Sequence, residues 1–552
     1  MTLVRETVVD GVRTMWVDSG RPTLLATLMF RAGRADEVLT TAGWLHLLEH
    51  LSLHGLHRGS LAVNGSVSTL ETTFTFHGPP EQVVTALAEV TRRLTSPEMA
   101  ELDRERRVLA AEASTRGGPV HRAFGQRYGA RGPGLAAYDD VALGRAIPEL
   151  LHGLVRSIFV ARNATLALDG PPPTALGLDL AEGDGVRTVP AAVPVEHPRT
   201  VYAEPVGLVL SGVVTRSGPN TFAAHMLEDA LRRRLREQDG TSYAPYSLYE
   251  AVDADQALLL AGADVSPTTA PSLLGTVIDL TDALAKHGPD PEALADVKAA
   301  ARQVFTDPYN VGFLAHRAAA QALQGRPVEQ LEDVLAEHDA IDVDALVPAL
   351  TELRDSLIVG APPSTAPHRR LKLSEQPVVA TRAKGTRSAN WPADDYRLGV
   401  TESMLTVGDS RLHYQYDLGD LAGYFTWENG ARRLVLPDGW GFTFVPTAWA
   451  RGNDHVRRLD SLVEDDLHLP QPDETAPESA QRDHLAERLW RGLVRWGGGT
   501  TPAVVIAAVA LAYVAAIVLA VVADLPGLPI LATIAALVVV RVVRVPRAPR
   551  EE

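Results

Sequence analysis

Two histidines four residues apart, with a glutamate directly before the second, stand near the N-terminus as His46-Leu47-Leu48-Glu49-His50. On a helix, positions i and i+4 share a face, so both imidazoles can reach one divalent cation. Glu49 lies beside such an ion without having to bind it, the place for a general base acting on a water. Leu45, Leu47, Leu48 and Leu51 make the surrounding helix strongly apolar. There, a carboxylate and two imidazoles need a reason such as a metal to offset their desolvation. A polar stripe on an ordinary helix is the alternative, and those leucines oppose it. The chain has no cysteine, so a metal must be held by His, Asp or Glu, and disulfides are excluded.

Catalytic zinc usually takes three protein ligands. The run RERRVLAAEAS at 104–114 offers Glu105 and Glu112, seven apart and therefore on one helical face. Glu112 stands in the more apolar stretch and is expected to be the more buried. It is assigned as third ligand, and Glu105 as the group that orients one imidazole. A surface helix laced with salt bridges is the competing reading of Glu105. His54 and His57, just past the motif, are read as loop residues.

These residues need a scaffold. The 552 residues are 46% hydrophobic and carry a net charge of −16. The length predicts three or four domains, and the charge argues against nucleic-acid partners. Residues 8–31 read as two alternating strands around Asp18-Ser19-Gly20, and 66–77, SVSTLETTFTFH, as one further strand. Between and after them come helices over 41–53, 80–94 and 97–115, then a strand at 163–170. A Pro-rich linker covers 171–198. The order of strand, helix, strands and helices then returns over 199–362, which predicts an internal duplication of an α+β module.

The quoted segments resemble the pitrilysin / insulin-degrading-enzyme family of zinc peptidases, whose H-x-x-E-H order is the inverzincin motif. AGWLHLLEHLSLHG is similar to that family's active-site helix. NGSVSTLETTFTF is similar to the strand to which the bound peptide adds. RERRVLAAEAS is similar to its helix with two glutamates, and LRRRLREQDGTSYAPY to its Arg…Tyr segment. The resemblance covers about 1–362. It implies Zn2+ held by His46, His50 and Glu112, with Glu49 as base. It also implies a substrate strand at Ser68, Thr69 and Leu70, with Arg236 and Tyr243 reaching the substrate from the opposite module to help stabilise the oxyanion. Two modules closing as a clamshell around an extended peptide is the architecture expected. The family often has Asn where this chain has Ser68, and the interval from His50 to Glu112 is shorter than usual. A chain of two modules resembles the half-length members, which commonly dimerise, so a homo- or heterodimer is expected. The family also contains non-catalytic subunits, which usually lose motif residues; here all are present.

A second linker at 363–392 leads to a small antiparallel β domain at 393–466, rich in aromatics. Its segment LAGYFTWENGARRLVLPDGWGFTFVP resembles PH-like domains near membranes. Residues 467–500 hold a linker and an amphipathic helix with Leu485, Leu489, Leu493 and Trp496 on one side. Within 501–545, residues 503–523 are uncharged and long enough to cross a bilayer, and 530–543 form a second apolar run broken by Arg541. Arginines before the first run and after the second predict a membrane hairpin with both ends, and the N-terminal domains, in the cytoplasm. No cleaved secretory signal is expected at the N-terminus.

Overall fold

A computed structural model describes residues 3–497, apart from 57–58, 114–116, 185–186, 196–197, 364 and 366–367, together with 504, 507–511 and 514. The chain divides into two compact units. One comprises Met1–Glu375 with Val435–Trp440, the other Gln376–Leu434 with Gly441–Glu552.

The first unit begins with β1 (Arg5–Val9), β2 (Val12–Trp16) and β3 (Leu24–Phe30), then α1 (Trp44–Leu53), β4 (Ala62–Val67) and β5 (Thr72–Gly78). It continues through α2 (Pro80–Thr95), α3 (Leu102–Ala113), α4 (Pro119–Tyr128), α5 (Pro148–Ile158) and β6 (Ala164–Leu168). Two alternating runs turn out to be hairpins. Asp10-Gly11 takes up positive φ, 45° and 82°, and folds β1 onto β2, the geometry a tight Asp-Gly turn requires. Residues 68–71 likewise reverse the chain between β4 and β5, so Ser68, Thr69 and Leu70, expected on the substrate strand, lie in the connection. The strand order is β1-β2-β6-β3-β5-β4, with β4 at an edge.

The chain then builds β7 (Thr200–Ala203), β8 (Leu208–Thr215), α6 (Gly218–Leu231), β9 (Tyr246–Ala251) and β10 (Gln256–Ala263). After these come the helices α7 (Ala270–His287), α8 (Pro291–Thr306), α9 (Gly312–Leu323), α10 (Leu331–Ala340) and α11 (Val343–Asp355), then β11 (Ile358–Ala361) and β12 (Lys372–Leu373). This sheet runs β12-β7-β11-β8-β10-β9. Position for position it repeats the first: β7 stands where β2 does, β11 where β6 does, β8 where β3 does, and β9 takes the edge place of β4. Only the outermost strand differs in origin, since β12 arrives at the end of its module and β1 at the start.

The two modules do not meet as the halves of a clamshell. Each lends the other a helix. Leu314, Ala315, Ala318, Ala319 and Ala322 of α9 are buried against Met15, Val17, Met29 and Ala167 of the first sheet. Ala123 of α4 is buried with Val209 and Leu260 of the second sheet, and Phe124 and Tyr128 with Val252 and Leu258. The buried Arg127 guanidinium donates to the carbonyls of Ser211 and Ser356, each at 2.8 Å. Hinging the modules apart would strip a buried cation of its acceptors and wet both interfaces, which apolar burial and desolvation oppose.

The second unit holds one sheet of β13 (Thr386–Arg387), β14 (Arg397–Val400), β15 (Met404–Gly408) and β16 (His413–Asp417), joined antiparallel in that order. A second sheet has β17 (Gly423–Thr426), β18 (Arg432–Val435), β19 (Gly441–Phe444) and β20 (His468–Pro470), ordered β19-β18-β17-β20. The expected all-antiparallel domain at 393–466 is thus exceeded at both ends. β20 pairs with β17 in parallel, because the chain reaches it by crossing over through α12 (Gly452–Leu462). The amphipathic stretch forms α13 (Leu485–Gly497). The apolar runs at 503–523 and 530–543 fall almost entirely outside the described residues. Among the described residues no helix is long and apolar enough to cross a membrane.

Candidate metal centre

The H-x-x-E-H residues lie on α1, whose entry is built by two groups the motif does not contain. Gly43 precedes the helix at φ 95°, a left-handed conformation that suits glycine. The buried Glu37 carboxylate accepts hydrogen bonds from the N–H groups of Gly43 (3.2 Å) and Leu45 (2.9 Å), covering amides that the helix itself leaves unpaired. Burial pushes the Glu37 carboxyl up to about 7 from its ordinary 4.5. A raised carboxyl favours the fold below the unfolded value, and that contribution is lost as pH climbs through the folded value. Glu37→Gln should therefore gain stability relative to the parent between about pH 4.5 and 7, on the order of 1–3 kcal/mol. Urea midpoints at pH 5 and 7.5 check this: a difference independent of pH would be the contrary result.

Each imidazole is held from behind. His46 Nδ1 is 2.8 Å from Asp140 Oδ2, and Asp140 is buried, with Arg34 Nη2 at 3.4 Å from its other oxygen. His50 Nδ1 is 3.1 Å from Glu105 Oε2, whose Oε1 is 2.8 Å from His54 Nδ1. A carboxylate at Nδ1 selects the tautomer with its proton there and turns the Nε2 lone pair the other way. The two rings stand edge to face, 4.8 Å apart. Glu112 lies 3.9 Å from His46 Nε2 and 3.6 Å from His50 Nε2. Glu49 Oε2 is 3.7 and 3.8 Å from the same two nitrogens.

That donor set fits zinc. Bonds of about 2.0–2.1 Å in a tetrahedron place ligand atoms about 3.3 Å apart, a few tenths of an ångström inside the separations found. Neutral imidazoles backed by carboxylates, facing further carboxylates, form the chemistry such an ion selects. Among the described residues His46, Glu49 and His50 bring one donor atom each within 4.8 Å of the others, and Glu112 approaches both Nε2 atoms from α3. Asp140→Asn, which weakens the hold on His46, should lower zinc affinity about 10–100-fold, read by competition with a chromogenic chelator; unaltered affinity would count against that role.

The relative burial of the two glutamates is the reverse of that expected. Glu105 is buried, whereas the Glu112 side chain is 43% exposed. Leu102, Glu105 and Leu109 form the inward stripe of α3, and Glu112, next to last in the helix, lines the open cleft beside the two imidazoles. His54, read as a loop residue, closes α1 and shares Glu105 with His50. His57 lies outside the described residues.

Glu49 itself packs against β4. A Cβ built on Gly65 would come within 1.9 Å of Glu49 Oε1, so the carboxylate occupies the space that a side chain would take. A glycine inside a strand is a signal of close approach, and this one was open to sequence reasoning that passed it by. Asp140 and Glu37 carried no such signal.

Around these groups opens a cleft of about 870 Å³ that includes Arg34, Asn64, Gly65, Ser66, Arg104 and His121 besides the motif. Arg236 and Tyr243 are not among its lining residues. They lie together after α6, the guanidinium 5.2 Å from the Tyr243 ring, and Tyr243 is 76% exposed. Asp264 Oδ1 holds this loop by accepting from the Tyr243 N–H at 2.9 Å. Thr69 is pinned elsewhere: the half-buried Glu250 carboxylate on β9 accepts from its hydroxyl and its N–H. That anchorage explains why 68–70 serve the module junction rather than the open edge.

No protein-family model matches the sequence, and no curated protein matches it. Solved structures do. A protease from Helicobacter pylori superposes with a TM-score of 0.56 at 15% identity, covering 66% of this chain and 100% of that one. A structure described as a peptidase M16 inactive domain from Pseudomonas fluorescens gives 0.53 at 16%, covering 66% and 100%. Pitrilysin gives 0.53 at 14%, covering 67% of this chain and 45% of its own. At these identities the likeness speaks for fold. Over about two thirds of its length the chain therefore has the fold of the M16 peptidases, at the size of the half-length forms.

Proposed function

We propose that the chain is a zinc-dependent endopeptidase of the M16 type, acting on extended peptides and tethered to a membrane. The observation that carries this reading is the convergence of two Nδ1-anchored imidazoles with Glu112 and Glu49 on one point in an open cleft. His46, His50 and Glu112 hold the ion. A bound zinc would polarise the scissile carbonyl and acidify a water. Glu49, held against Gly65, takes that water's proton and delivers it to the leaving amine. The substrate backbone pairs with β4, an edge strand whose Asn64, Gly65 and Ser66 line the cleft. Since Arg236 and Tyr243 stand outside the cleft of their own chain, a second copy or a related subunit supplies them.

The apolar run 503–523 supplies the tether, and the flanking arginines set the peptidase on the cytoplasmic side. A non-catalytic peptide-binding subunit is the second reading, favoured by the exposed position of Tyr243 and by the likeness to a domain described as inactive.

Elemental analysis of the full-length chain decides about the metal. About one zinc per chain, lost in Glu112→Ala, is expected. Absence of zinc after supply of the metal, or its retention in the variant, would overturn the three-ligand site.

A further inference from the structure

Among the helices of the second unit, α13 is moored along one edge and exposed along the next. Arg488 donates to the Ala389 carbonyl at 2.9 Å, Arg495 pairs with Asp395 at 2.6 Å, and Gly492 packs on Pro392. At about 100° per residue, Leu485, Leu489 and Trp496 fall within about 40° of one another on the adjoining arc, and Trp490 lies about 100° further round. The exposures of Leu485, Leu489, Trp496 and Trp490 are 63%, 54%, 43% and 40%. Large apolar side chains clustered in the open at this density mark a contact surface rather than ordinary scatter.

The next stretch of chain identifies the surface that covers this arc. A link of only about five residues, 498–502, reaching at most about 18 Å, separates the helix from the uncharged run 503–523. Resting on the tether reading above, we propose that α13 lies flat on the phospholipid bilayer. Leu485, Leu489 and Trp496 enter the boundary between headgroups and acyl chains, and the moored edge ties the second unit to the membrane. Exposed tryptophans suit that boundary. The catalytic unit is then carried by a domain with a fixed seat on the surface, which favours substrates presented close to the membrane.

The full-length chain, reconstituted in phosphatidylcholine/phosphatidylglycerol vesicles containing lipid brominated at shallow acyl positions, tests this by tryptophan quenching. The chain has eight tryptophans, of which only Trp490 and Trp496 lie on α13. Trp490→Phe/Trp496→Phe should reduce the quenched fraction at least about twofold. An unchanged fraction, in vesicles that still float with the protein, would overturn the seat of α13 and leave the tether standing. Failure of the parent chain to float at all would overturn the tether and this inference together. A Leu489→Cys variant, in a chain otherwise without cysteine, that forms an intermolecular disulfide while quenching is absent would show that a second copy covers the face instead.

Discussion

Glu49→Gln should leave the zinc content unchanged and lower kcat by about 10²–10⁴-fold, the range over which a positioned general base contributes. The amide keeps the shape and the place against Gly65, but it cannot accept the water's proton. KM should move little, because Glu49 has no part in strand pairing along β4. The test is zinc content and kcat on one preparation, assayed with an internally quenched peptide. Turnover equal to the parent's would sink the assigned mechanism, while loss of zinc would instead make Glu49 a ligand. The second outcome is the sharper one structurally, because Glu49 and Glu112 stand at nearly equal distances from both Nε2 atoms.

Gly65→Ala should act on the same group from the opposite side. Its Cβ would come within 1.9 Å of Glu49 Oε1. Either the carboxylate swings off its axis or β4 shifts outward, and both disturb the base and the substrate edge together. A displacement of about 1 Å in a catalytic group can cost on the order of 10² in rate, so a loss of that size in kcat/KM is expected. Zinc should stay bound, since the atoms nearest that Cβ belong to Glu49 and not to a histidine. Gly153→Ala provides the control. Gly153 lies within α5, and an added Cβ there would meet nothing within 4 Å. That variant should keep full activity and gain on the order of 0.5–1 kcal/mol of stability. Gly65→Ala at parental activity would show that the cleft tolerates a side chain there and that Glu49 has room to retreat.

Some features of the chain obey local rules alone. Helical periodicity puts His46 and His50 on one face and Glu105 and Glu112 on another, since each depends only on spacing along one element. The recurrence of strand, helix and strands after residue 199 depends on order, and the two sheets reproduce that order in all but their outermost strand. The apolar pattern of α1 marks it as buried, and His46 and Glu49 are buried.

Where local pattern misled, a competing local signal was present. Asp10-Gly11 and the turn at 68–71 break runs whose alternation continues across them, because a tight hairpin can preserve the period of two on either side of its loop. Periodicity also ranks burial only where the face it picks out is covered by packing along its whole length. Glu112 continues the inward stripe of α3 but lines an open cleft, so its side chain stays 43% exposed.

The remainder was decided by tertiary packing. Asp140 reaches His46 across 94 residues of sequence, Glu37 covers the start of a helix it does not belong to, and α4 and α9 complete cores in the module that does not contain them. No spacing rule encodes such partners, because they arise where two independently formed surfaces happen to be complementary in shape and charge. Thus the sequence by itself determined which groups could do the chemistry and which face each would occupy. Only the folded chain decided which carboxylate stands behind each imidazole, which strand edge stays open, and that Arg236 and Tyr243 stand outside the lining of their own cleft.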